Sequence, residues 1–183
     1  HTMFKSYTSC GIIYSMSASY DRAYDCFMHA KEMSDSSEIN QVYNNLAGIH
    51  FIYKEYDKAL EYVVRGFNWA EKHNEHKDLS KYMHNIMNVY YITGDLQKTE
   101  PFIKRFLAID NSKPDNMWKF TMFLVRGVHD INNGSYNTAV ERFADAVKMV
   151  KNHQNNNPTI SRYAISAYEY MADAYLREGK LNK

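Results

Sequence analysis

His73 and His76 stand close together in EKHNEH, with His50 and His84 elsewhere in the chain. Paired imidazoles can ligate a transition metal, but a site needs further ligands at workable spacing and none accompanies this pair. A polar loop with solvated rings accounts for them, so no metal is expected. The two cysteines, Cys10 and Cys26, are too few for a disulfide framework and are not spaced as metal ligands. Cys10 falls on an apolar helix position, where a thiol packs as a small inert hydrophobe rather than acting as a nucleophile. The glycines of GDL and GSY suit turns, and no Gly-rich phosphate loop is present. Asp21, Glu55, Asp57 and Glu61 read as helix starts or exposed faces, where the helix dipole and water explain them. The chain is therefore expected to be no enzyme and to carry no cofactor.

The 16 tyrosines could stack on bases or cage a ligand. Yet Tyr7, Tyr14, Tyr20, Tyr43, Tyr56, Tyr90, Tyr136, Tyr168 and Tyr175 fall on helix-packing positions, so they are read as core. A formal net charge of +1 lacks the basic footprint of a nucleic-acid surface, and no direct nucleic-acid contact is expected. No apolar run reaches the roughly 20 residues that cross a bilayer, so this segment is not expected to insert into a membrane. Two free thiols fit a reducing compartment, which favours the cytoplasm; a periplasmic location would need a leader ahead of His1. With 45% hydrophobic and 23% charged residues, the chain can bury a substantial core.

The elements that build this core repeat. In NNGSYNTAVERFADAV, Gly134 is followed by Tyr136, Ala139, Phe143 and Ala146. The same offsets recur in Ala18, Tyr20, Ala23, Phe27 and Ala30, and in Lys54, Tyr56, Ala59, Val63 and Gly66. A weaker copy is Gly94, Leu96, Thr99, Ile103 and Phe106, and a truncated one is Gly179 with Leu181. Ahead of each lies a second ladder spaced as one helix face. These are Tyr7/Cys10/Gly11/Tyr14, Tyr43/Leu46/Ala47/His50, Met83/Ile86/Met87/Tyr90, Phe123/Arg126/Gly127/Asp130 and Tyr168/Met171/Ala172/Tyr175, the fourth being the poorest match. Each unit is thus helix, short turn, helix. Small residues let the two backbones approach, so Gly11 is expected to face Ala23, Ala47 to face Ala59, and Gly127 to face Ala139.

This pattern resembles the tetratricopeptide repeat, whose signature runs aromatic, Leu-Gly, Tyr, then Ala and Phe on the second helix. The resemblance implies an all-α, right-handed superhelical array of antiparallel helix pairs, a single array over residues 1–183. Its repeats are 4–37, 40–73, 80–113, 120–153 and a truncated 165–183. First-ladder starts are separated by 36, 40, 40 and 45 residues, against about 34 in the family. Longer helices or loops must absorb the excess, and the polar stretches KHNEHKDLSK, DNSKPDNMW and NHQNNNPTISR are candidates. Stretched repeats of this kind are similar to those of bacterial regulatory proteins, including peptide-responsive Rap-like regulators. In the third unit Met87 and Thr99 replace the small pair and Pro101 removes a backbone donor, which predicts a late start or bend near Thr99 to Pro101.

The resemblance also implies where a protein or peptide partner would bind, because first helices line the concave surface of such arrays. The positions between packing residues are Asn44, Asn45, Phe51, Lys81, His84, Asn85, Asn88 and Tyr91, continued by Leu124 and Val128. Asparagines offer paired donors and acceptors to an extended peptide backbone, while Phe51 and Leu124 would accept apolar side chains. Asn45, Lys81 and Asn85 match part of the set with which some arrays clamp a terminal carboxylate. Thr8 and Ile12 stand where that set has Lys and Asn, so a chaperone-tail clamp is not expected. The expected function is a peptide- or protein-binding module, the sensing or interaction part of a bacterial signalling or transcriptional regulator; a static assembly scaffold is the alternative. The fifth unit lacks its second helix, which predicts either a longer polypeptide or self-association through the uncapped C-terminal repeat.

Overall fold

The computed structural model describes residues 2–35, 38–112, 114–152 and 158–179, with backbone only for 151–152 and 158–163. Among them the chain is all-helical, and consecutive helices pack in pairs. The contacts divide it into two compact units, His1–Asp78 and Leu79–Lys183. The first holds α1 (Thr2–Met16), α2 (Tyr20–Met33), α3 (Ile39–Ile52) and α4 (Tyr56–Lys72). The second holds α5 (His76–Ile92) from Leu79 onward, a 3-10 turn (Leu96–Thr99), α6 (Glu100–Leu107), α7 (Asn116–Asn132), α8 (Tyr136–Asn152) and α9 (Pro158–Arg177).

The turn ladder is the clearest consequence of sequence. Ala18, Lys54, Gly94, Gly134 and Gly179 all adopt left-handed backbone, with φ between 57° and 78°. Around them the amide of the following residue reaches back to the preceding helix: Ser19 N to Tyr14 O at 2.9 Å, Glu55 N to His50 O at 2.9 Å, Asp95 N to Tyr90 O at 2.8 Å and Ser135 N to Asp130 O at 2.8 Å. These bonds satisfy carbonyls that a helix end would leave orphaned. Asn74, at φ 55°, forms the same closure between α4 and α5, with Glu75 N to Ala70 O at 2.9 Å. The excess length near KHNEHKDLSK is therefore taken up by helix: α4 and α5 each run 17 residues and meet at this tight turn.

The second helices bury one stripe each: Ala23, Phe27 and Ala30 on α2; Ala59, Val63, Gly66, Phe67 and Ala70 on α4; Ala139, Phe143 and Ala146 on α8. At the close crossing the atoms nearest each glycine belong to a phenylalanine ring of the second helix. A Cβ on Gly11 would fall 2.5 Å from Phe27 Cε1, and one on Gly127 would strike Phe143 in the same way. The ring one turn beyond the alanine lies over the bare backbone, while Ala23 and Ala139 are buried beside it. Phe27 joins Phe4, Ala23, Ala30, Val42, Leu46 and Ile49 in the first unit's core. Full burial of such a ring contributes about 2–3 kcal/mol.

In the third repeat the late start is present. The 3-10 turn ends at Thr99, whose hydroxyl donates to Leu96 O at 2.5 Å, and Pro101 then sits in the first turn of α6. There its missing N–H forfeits no helical bond. The polar misfit Asp130 accepts from Arg142 Nε at 2.5 Å, an ion pair across the α7–α8 hairpin. Leu181 and the ends expected for the first, third, fourth and fifth repeats lie outside the described residues.

Candidate functional site

In the first unit, helical periodicity turns Val42, Leu46, Ile49 and His50 of α3 inward, where all are buried. It places Gln41, Asn44, Asn45, Gly48, Phe51 and Ile52 on the other side. Gln41 and Gly48 are exposed, Ile52 is 46% exposed, and Asn44, Asn45 and Phe51 are half-buried. No heavy atom lies within 4 Å of where a Gly48 Cβ would stand, so this face is open at its middle. The Phe51 ring is held edge-on to Tyr56 at 5.6 Å. Asn45 Nδ2 is shielded from solvent and finds no hydrogen-bond partner among the described residues. A buried donor without an acceptor costs about 1–3 kcal/mol.

A cluster of rings and charges holds the back of α3. His50 Nδ1 is 2.6 Å from Glu55 Oε2, Tyr62 stacks on the imidazole at 5.4 Å, and Tyr24 meets it edge-on at 5.6 Å. Glu55 also takes Lys58 Nζ at 2.9 Å, and its carboxyl is held below the usual range by Lys58 first and His50 second. Tyr53 donates to Asp21, which pushes the phenol up to about 12. The turn after α3 is thereby tied to α2 and α4.

The second unit treats the corresponding residues differently. Leu124 and Val128 of α7, expected on an open surface, are fully buried. His84 is buried as well, with Nε2 3.5 Å from Ser166 Oγ of α9. Tyr91 packs edge-on to Tyr170 at 5.1 Å and donates to Glu169 O at 3.4 Å. α5 and α9 meet through these contacts, so His84, Leu124 and Val128 serve the core of this unit rather than an open groove, while Tyr91 stays half-buried. Lys81, Asn85 and Asn88 remain half-buried on α5. The sequence signal for this closure is the row Ala167, Tyr170 and Ala174 on α9, beside the repeat ladder and fully buried. Tyr170 Oη finds no partner among the described residues, and burial drives its pKa strongly upward.

Of the other chemistry-bearing groups, His73 is exposed and stacks on Trp69 at 4.2 Å, its Nδ1 2.7 Å from Trp69 O. Among the described residues no group of three His, Cys, Asp or Glu side chains is placed to hold a metal ion. Burial, and then a hydrogen bond with Cys10, push the Cys26 thiol up to about 11, the opposite of an activated nucleophile. No described helix is long and apolar enough to cross a membrane.

No family model matches the chain, and no curated protein matches it. Among solved structures it is similar to the crystal structure of BtubC (BKLC) from P. vanneervenii. The TM-score is 0.65 at 11% identity, over 97% of this chain and 74% of that one. At that identity the likeness concerns the fold, an all-helical array of packed pairs.

Proposed function

We propose that the chain is a non-enzymatic interaction module of tetratricopeptide type, a right-handed helical array that takes an extended peptide segment along the open face of α3. The observation that carries this reading is Asn45: its amide donor is buried without an acceptor, on a face where Gly48 leaves free space. With the Asn45 side chain turned outward, a peptide carbonyl laid over Gly48 would supply the missing acceptor, with Asn44 beside it, while Phe51 and Ile52 would receive an apolar side chain. Lys81, Asn85 and Asn88 share one face of α5 in the second unit, a separate polar row. The stretched repeat spacing supports assignment to the sensing part of a bacterial signalling or transcriptional regulator; a static scaffold is the competing reading.

The test starts from random peptides selected by phage display on the immobilised protein. The selected peptide is then titrated against wild type, Asn44→Ala, Asn45→Ala and Asn88→Ala. Asn45→Ala should weaken binding about five- to tenfold, the worth of one hydrogen bond, and should leave the free protein as stable or about 1 kcal/mol more stable. Unchanged affinity in Asn45→Ala would refute the α3 face. Small-angle scattering with and without peptide separates a sensor, which changes dimensions on binding, from a scaffold, which does not.

A further inference from the structure

The second unit contains a cavity of about 400 Å³ that the peptide-binding reading does not use. Its origin is the short second helix of the third repeat. The α4 and α8 helices run 17 residues each, whereas α6 ends at Leu107 after eight. At the register where α4 buries Ala70, the third repeat has Asp110, already beyond its helix and exposed. The flank of α7 that longer helices would cover is left open. Trp118 forms the back wall, stacked on Phe106 at 4.4 Å, and Asp115 fixes this end of α7 by accepting from Trp118 N at 2.7 Å. Pro114, Met122 and Phe123 complete an apolar lining.

Lys119 and Arg126 also line it, both exposed, and neither makes an ion pair among the described residues. Arg126 occupies the ladder position filled by Cys10, Leu46, Ile86 and Met171 in the other repeats. A cation therefore stands where the fold elsewhere uses an uncharged side chain, at the mouth of a cavity that a missing helical turn opens. Asp110 is the opposing charge on the lining, which leaves the two cations in excess.

We propose that this cavity binds a small organic anion, an aromatic or branched apolar body bearing one carboxylate, with the body against Trp118, Met122 and Phe123 and the carboxylate at Lys119 and Arg126. The volume suits such a ligand, and the planar guanidinium suits a carboxylate.

The experiment uses the full chain carrying Trp69→Phe, so that Trp118 is the sole indole. Fluorescence is titrated with 4-phenylbutyrate, 4-phenylbutylamine and 4-phenylbutanol. A saturable change is expected with the acid at an affinity about tenfold above that of the amine, the alcohol lying between. Arg126→Leu, which restores the residue type of the other repeats, should keep the fold by circular dichroism and weaken the acid about fivefold. Lys119→Gln added to it should erase the preference over the amine. Equal binding of the three probes, or no response to the acid at 10-millimolar scale (roughly the weakest binding such a site would show), overturns the assignment. So does tighter binding of the tripeptide Gly-Gly-Phe than of phenylbutyrate, which would make the ligand a chain terminus.

Discussion

Two glycines of the first unit should respond to the same substitution with opposite signs. Gly11 lies inside α1 and Gly48 inside α3. In a bare helix, alanine is favoured over glycine by about 1 kcal/mol, so Gly48→Ala, with no atom within 4 Å of the new methyl, should stabilise by about that amount. Gly11→Ala gains the same propensity but places its methyl 2.5, 2.7 and 2.9 Å from three ring carbons of Phe27. Carbons in contact prefer about 3.5–4.0 Å. Phe27 is 2% exposed and is enclosed by Phe4, Ala23, Ala30 and Leu46, so the ring has nowhere to retreat. Overpacking of this kind costs about 1–3 kcal/mol, leaving a net destabilisation of about 0–2 kcal/mol. Urea unfolding of the two variants measures the difference between them, about 1–3 kcal/mol, in which propensity cancels. Combining Gly11→Ala with Phe27→Leu should recover at least about 1 kcal/mol relative to additivity. If Gly11→Ala stabilises as much as Gly48→Ala, the close crossing is not where the helices meet.

The turn positions give a second comparison. Gly134→Ala should cost about 1 kcal/mol, because φ of 76° is strained for alanine, whereas Ala18→Gly and Lys54→Gly should be neutral or stabilising by up to about 1 kcal/mol in thermal or urea unfolding. Tyr170→Phe should stabilise by about 1 kcal/mol, since it removes a buried hydroxyl without a partner, while Tyr170→Ala should cost about 3–5 kcal/mol. Glu55 has a folded pKa below its unfolded one, so its contribution is present above about pH 4.5 and is lost as pH falls through the depressed value. The stability difference between wild type and Glu55→Gln, followed by pH-dependent unfolding, should therefore shrink on acidification below that point.

Little of the site was legible beside the fold. Asn44, Asn45 and Phe51 lie on a partly open face because α3's opposite stripe is strongly apolar, and a single helix's periodicity is enough to say so. The same reasoning placed Leu124 and Val128 on an open surface, and it failed there. Periodicity identifies a face but not what comes to rest on it, and in the second unit α5 and α9 meet through His84, Ser166, Tyr91 and Tyr170. Arg126 looked like a defect in the ladder, and only the early end of α6 shows the space beside it.

The amino-acid order alone determined the helical pairs, their register and their turns, because small, aromatic and left-handed positions act within a few residues of one another. Left-handed φ occurs at all five ladder starts, two of them not glycine, and at Ala18, Lys54, Gly94 and Gly134 it comes with the helix-closing hydrogen bond that such a turn makes. Tertiary structure decided which ring covers each bare glycine, which inner faces are closed, and where a shortened helix leaves a cavity. Those outcomes depend on contacts between residues tens of positions apart, and side-chain volume and helix length settle them only once the pairs have packed.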